Sequence, residues 1–199
     1  MGKAAALAFA GAGSRGGIGD MDTEGGESTV AEISDADGRA EFVKTDVTVS
    51  SDVQNLVQTA VYRFGRLDCA FNNAGIGGSM FVKTTDYDEN TFDRVLEINL
   101  KGIFLCMKFE IPALLKGGGG AIVNMSSVAG LTGGPMGAGY YASKHGVVGL
   151  TRAAAMEYAT QDLRVNAVCP GWTETALTDP VTRGNSEREK LILDMHPMG

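Results

Sequence analysis

Three short apolar runs in the second part of the chain each close on small polar residues, and this repetition constrains the fold more than any other feature. Leu67-Asp68-Cys69-Ala70-Phe71 runs into Asn72-Asn73-Ala74-Gly75. Ala121-Ile122-Val123 runs into Asn124-Met125-Ser126-Ser127, and Arg164 to Cys169 runs into Pro170-Gly171-Trp172-Thr173-Glu174-Thr175. Runs of this length bounded by turn residues read as strands. Helical patterns separate them. Strands alternating with helices imply an α/β, doubly wound parallel sheet of the Rossmann-like kind, in three layers. Ligands bind such sheets at the carboxyl ends of the strands. All three closing segments therefore fall on one edge.

The intervening patterns are specific. Residues 3–12 are alanine-rich and predict a helix. Thr23 to Ile33 predicts another, and residues 40–47 a strand ending at Asp46-Val47. Val53, Leu56, Val57, Ala60, Val61 and Phe64 recur at helical spacing, with Ser51 and Gln54 predicting a capping box and Gly65 a stop. Residues 88–115 predict one long helix with Asn99 in its middle, where the bland expectation is a polar group facing solvent. A last long helix is expected from about Ala138 to Ala159.

With 199 residues, 44% hydrophobic and 21% charged, the chain suits one globular domain, 1–199. Its polar end, 176–199, reads as a lid over the site. The net charge of −7 disfavours nucleic acid and anionic membrane as partners. Cys69, Cys106 and Cys169 sit singly in apolar runs and read as buried thiols, not as a disulfide framework. With two histidines, no metal site is expected, and His145 and His196 receive no chemical role. No run approaches the ~18 apolar residues of a membrane span, and Met1 to Ala10 is a poor secretory leader. A cytoplasmic protein is expected.

The chemistry centres on Asn124 to Lys144. Tyr140 and Lys144 stand four apart, so on a helix they share a face. An ammonium beside a phenol lowers the phenol pKa, which suits a tyrosine that exchanges a proton with a carbonyl or alcohol oxygen. Ser127, at the end of a strand thirteen residues earlier, is placed to hold the same oxygen. Taken alone, the pair also fits a packed tyrosine beside a solvated lysine.

Together with N-N-A-G and P-G-x-x-x-T, these residues resemble the short-chain dehydrogenase/reductase family over nearly the whole chain. The resemblance implies a catalytic set of Asn99, Ser127, Tyr140 and Lys144, with Asn99 holding a water that links the lysine to solvent. It implies a nicotinamide cofactor contacted by Asp46 and Val47 at the adenine, and by Asn73, Ala74 and Gly75 along its length. Tyr140 and Lys144 would lie at the nicotinamide end, with Pro170, Gly171, Thr173 and Thr175 at the carboxamide. It implies a secondary alcohol or ketone as substrate, and a homodimer or homotetramer.

The first twenty residues admit two readings. In one, Gly13, Gly17 and Gly19 form the glycine loop that cradles a pyrophosphate. In the other, Gly2 is the last glycine of that loop, residues 3–12 the helix after it, and 15–19 a strand ending at Asp20. The second reading aligns without a gap and makes Asp20 the carboxylate that selects NAD over NADP. Its competitor for Asp20 is capping of the following helix. The second reading also leaves the family's first and last strands outside the chain, an incomplete sheet. Two functions follow: an NAD-dependent dehydrogenase or reductase, or an inactive protein of the same fold acting only through subunit contacts.

Overall fold

The structure is a computed structural model that describes residues 1–179 and 183–194. Helix α1, Gly2–Gly11, leads through a tight turn into strand β1, Arg15–Asp20. Gly16, Gly17 and Gly19 are therefore strand residues, which settles the two readings in favour of the strand. Gly19 has a packing reason: a Cβ there would come 2.5 Å from the Leu56 side chain. Helix α2, Thr23–Asp35, is capped by Asp22, whose carboxylate accepts from the Gly25 N–H at 3.1 Å. Asp22, not Asp20, supplies this cap, worth about 1 kcal/mol.

Strand β2, Arg39–Lys44, pairs in parallel with β1 and stops two residues short of Asp46. Helix α3, Ser50–Phe64, starts one residue before the expected capping box. Its N-cap is Val49, so Ser51 and Gln54 lie inside the helix and no side-chain cap forms. Gly65 ends it at φ 91°, a left-handed conformation that favours glycine. Strand β3, Cys69–Asn72, follows.

The expected long helix is interrupted. It comprises α4, Glu89–Leu96, a π-helical turn, Glu97–Lys101, and α5, Gly102–Lys116. Strand β4 is Gly120–Met125, α6 is Ala138–Glu157 and β5 is Leu163–Val168. Helix α7, Ser186–Asp194, lies in the expected lid. Positions 180–182 and 195–199 of that lid, His196 among them, fall outside the described residues.

All pairings are parallel, in two sheets ordered β1-β2 and β3-β4-β5. Helices α1 and α2 pack together over β1 and β2, while α3 contacts β1, β2 and α5, and α6 lies against β4 and β5. The main core joins α5, β4, α6 and β5 through Ile103, Leu114, Ile122, Val147 and Val165. Burying side chains of this size stabilises the fold by roughly 1.5–3 kcal/mol each. Of the three thiols expected to be buried, Cys106 is buried, Cys169 half-buried and Cys69 exposed. Cys69 is exposed because β3 faces an open cleft of about 930 Å³ between the two sheets. No helix among the described residues is long and apolar enough to cross a membrane.

Candidate active site

The carboxyl ends of β3, β4 and β5 bring the expected residues together. Tyr140 and Lys144 lie on the first turns of α6, both buried, with Lys144 Nζ 5.6 Å from the centre of the Tyr140 ring. Lys144 Nζ donates to the Met125 carbonyl at the end of β4 at 2.8 Å. The serine pair divides its work. Ser126 Oγ donates to the Lys144 carbonyl at 2.9 Å and so ties α6 to β4. Ser127 stays half-exposed, accepts from the Ala129 N–H at 3.2 Å, and is hydrogen-bonded to the Tyr140 phenol.

The electrostatics depart from the expected pattern. Burial pushes the Tyr140 phenol above its ordinary value, with the Ser127 hydrogen bond acting the other way. Lys144 does not bring it down here. Burial instead pulls the lysine itself down to about 8, opposed by its neighbour Cys169. A lysine at about 8 is a weaker source of positive potential near neutrality than one at its ordinary value.

Asn99 does not face solvent. It occupies the π-helical turn and is fully buried. Its Oδ1 accepts from the Ile76 N–H at 2.8 Å, and its Nδ2 donates to the Ile76 carbonyl at 2.9 Å and to Ser143 Oγ at 3.2 Å. Ser143 in turn donates to the Tyr140 carbonyl at 2.8 Å. Asn99 therefore joins the loop after β3 to the turn of α6 that carries Tyr140. A Cβ on Gly75 would stand 3.2 Å from Asn99 Oδ1 and 3.7 Å from Lys144 Nζ, so glycine lets backbone pass close to both.

The remaining expected residues take separate positions along the same edge. Asp20 is exposed at the end of β1 and accepts from the Asp22 N–H at 3.0 Å. Asp46 accepts from the backbone and hydroxyl of Thr48, which hold its carboxyl below the usual range. Its own N–H donates to Asp52. Val47 packs on Gly102 of α5. Asn73 and Ala74 follow β3, and the amide of Asn73 lies against Gly2 at the start of α1. Pro170 and Gly171 follow β5. The buried Thr178, which sequence reasoning missed, donates to the Thr173 carbonyl at 2.7 Å and accepts from the Thr175 N–H at 2.9 Å.

These residues fit a dinucleotide. The amino end of α1, whose N-cap Met1 makes no side-chain hydrogen bond, lies beside Asn73 and suits an anion such as pyrophosphate. An exposed carboxylate stands at one end of the edge and a Tyr-Lys-Ser group at the other. Ser143 and Thr178 are hydrogen-bonding supports of these segments that sequence reasoning missed. The one available signal for Ser143 was its position three residues after Tyr140.

Residues 1–186 match the short chain dehydrogenase family. The chain belongs to that family. It is 40% identical to cyclohexanol dehydrogenase from Acinetobacter sp. (strain SE19), over all of this chain and 76% of that protein. It overlays carveol dehydrogenase from Mycobacterium avium in complex with NAD with a TM-score of 0.85, at 32% identity, over 88% of this chain and 68% of that one. It overlays a variant of actinorhodin polyketide ketoreductase with NADPH with a TM-score of 0.83, at 34% identity, over 92% and 73%. The dehydrogenase is thus an oxidoreductase that transfers hydride between a nicotinamide cofactor and an alcohol or ketone.

Proposed function

We propose that the protein is an NAD-preferring dehydrogenase or reductase in which Tyr140 exchanges the substrate proton. The convergence of Tyr140, Lys144, Ser127 and Asn99 at the ends of β3 and β4 carries this reading. When bound, the cofactor supplies or accepts hydride at its nicotinamide ring. In the oxidative direction, Ser127 orients the substrate hydroxyl and Tyr140 takes its proton as hydride leaves the carbinol carbon. In reduction, the phenol returns that proton to the carbonyl oxygen. Lys144 holds the nicotinamide ribose. Asn99 supports the proton path by fixing Ile76 and Ser143. Asp20 supports NAD, because a carboxylate accepts from ribose hydroxyls and repels a 2′-phosphate.

Apolar groups ring this end of the edge. Val128, Leu131, Phe81 and Val82 are exposed near the site loops. With relatives acting on cyclohexanol and carveol by name, a neutral cyclic secondary alcohol is the first substrate to assay. Exposed Phe104 on α5 and Met156 on α6 support a homodimer or homotetramer built on those helices. The buried thiol of Cys106 suits a cytoplasmic location. The test is NADH and NADPH titration of the protein, followed by turnover of cyclohexanol with NAD. Absence of binding by either dinucleotide would overturn the reading.

A further inference from the structure

Tyr87 touches the two loops that flank Tyr140, and a helix start fixes it there. Asp88 caps α4, its carboxylate accepting from the Thr91 N–H at 2.7 Å. Tyr87 precedes that cap and Phe92 is the fourth helical residue, so the two rings form a hydrophobic staple, meeting edge to face at 6.5 Å. The staple fixes the angle at which the chain enters α4, and with it the position of the phenol. Three glycines of other segments surround the ring. A Cβ on Gly78 would lie 2.5 Å from Tyr87 Oη, one on Gly139 3.2 Å from it, and one on Gly137 2.8 Å from the ring edge. Tyr87 Oη also accepts from the Ser79 N–H at 3.2 Å.

The loop held in this way starts beside Lys144. Gly75 passes the lysine, Asn99 fixes Ile76, and Leu177 of the expected lid lies against Gly77. Ser79 then packs on Gly137, and the Phe81 N–H donates to the Pro135 carbonyl at 2.7 Å. Phe81 itself has φ 61°, a left-handed backbone that a bulky residue rarely adopts. Such a conformation holds only where its surroundings over-determine it. Asn99 fixes the first half of the loop. The bonds from Ser79 to Tyr87 and from Phe81 to Pro135 hold the strained second half.

We propose that Tyr87 is a positioning residue for the alcohol or ketone substrate. Its hydroxyl packs on Gly139, the neighbour of Tyr140, and holds Ser79. The loop and the Tyr140 phenol therefore keep a fixed separation, and the substrate enters between them. Releasing the loop lowers the fraction of molecules ready to bind substrate, and apparent affinity falls by that fraction. The cofactor does not depend on this link, because Asn73, Ala74 and Gly75 precede Ile76, where Asn99 already anchors the chain. The inference rests on the proposed role of Tyr140 and adds the residue that sets the facing wall.

Tyr87→Phe keeps the staple and removes only the hydroxyl. Amide hydrogen exchange, read without substrate, should speed by about three- to tenfold at Ser79 and Phe81, as loss of one net hydrogen bond allows, and stay unchanged at Ile76. With saturating NAD, KM for cyclohexanol should rise by about the same factor, with kcat, Tm and the NADH Kd nearly unchanged. Gly139→Ala crowds the hydroxyl and should also raise KM. Tyr87→Phe makes room for the added methyl, so the double variant should fall below the product of the two single effects. A merely structural role would lower Tm, kcat and NADH affinity together, and that outcome overturns the proposal. Faster exchange with an unchanged KM overturns it too, as do single effects that simply multiply. The exchange arm needs no turnover: unchanged exchange at Ser79 overturns the link to Tyr87, whereas near-full activity in Tyr140→Phe overturns the reading on which it rests.

Discussion

Lys144 Nζ donates to the Met125 carbonyl at 2.8 Å, spanning 19 positions of sequence. This bond locks the turn of α6 that carries Tyr140 and Lys144 onto the end of β4. It also places the ammonium at a strand end, where the carbonyl carries partial negative charge, inside surroundings dry enough to pull the lysine down to about 8. The first prediction concerns that charge. A depressed lysine is positive below its pKa and neutral above it. Affinity for NADH should therefore hold below pH 8 and fall above it, by up to about tenfold per pH unit. Lys144→Met should bind weakly throughout and lose this dependence. Fluorescence titration from pH 6 to 10 measures both proteins, and an equally steep decline in the variant would reassign the effect.

Tyr140→Phe removes the proton carrier while keeping the ring that α6 buries. We expect kcat to drop ~10²–10⁴-fold, with the melting temperature nearly unchanged. A steady-state assay with cyclohexanol and NAD measures it. Near-full activity in the Phe variant would remove Tyr140 from its role.

Asp20→Ala should narrow the preference for NADH over NADPH, chiefly by tightening NADPH about tenfold, through loss of a like-charge contact. The carboxylate is exposed and already oriented by the Asp22 N–H, so the fold should not respond. Equal dissociation constants for the two cofactors in the unmodified protein would remove the premise.

Asn99→Ala should cost stability as well as turnover. The substitution leaves the Ile76 N–H and carbonyl without their side-chain partner. Each such group costs ~1–3 kcal/mol, which at this chain length lowers Tm by roughly 5 °C or more. A variant that melts with the parent would show that the loop after β3 is held by other means.

The strands and the common edge of the site were legible because period and punctuation are local signals. Leu67 to Gly75 and Arg164 to Thr175 each carry a strand and its stop within a dozen residues. What depends on a neighbour far along the chain was not legible. Asn99 looked like a weak helix former facing solvent, and nothing nearby marks a π-helical turn whose amide reaches Ile76. The Tyr140-Lys144 spacing was readable, but the depth of burial that raises one group and lowers the other was not. The Ser51-Gln54 pattern misled because Val49 already had the extended backbone of an N-cap, which placed the cap two residues early. Asn72 and Glu110, 38 residues apart, gave no sign of meeting.

That last pair carries the remaining prediction. The Asn72 amide donates both its protons, to Glu110 Oε2 and to Asn124 Oδ1, each at 3.0 Å. Asn124 passes the chain on to Thr151 of α6, also at 3.0 Å. Glu110 is buried on α5, one turn from Cys106, whose thiol is pushed up by burial and then by Glu110. Burial raises Glu110 itself to about 7, and the Asn72 hydrogen bond opposes that rise. The folded protein therefore keeps a proton that the unfolded chain releases near its ordinary value of 4.5. This contribution to stability is full below about pH 4.5, declines as pH rises, and is gone above about 7. Its size is on the order of 3 kcal/mol. Glu110→Gln keeps an oxygen for Asn72 and abolishes the titration. We expect the parent to lose melting temperature between pH 5 and 8 relative to the Gln variant, and the variant to be the more stable of the two at pH 8. Melting curves at pH 5, 6, 7 and 8 measure the difference. A gap that stays constant with pH would show that Glu110 does not titrate in this window.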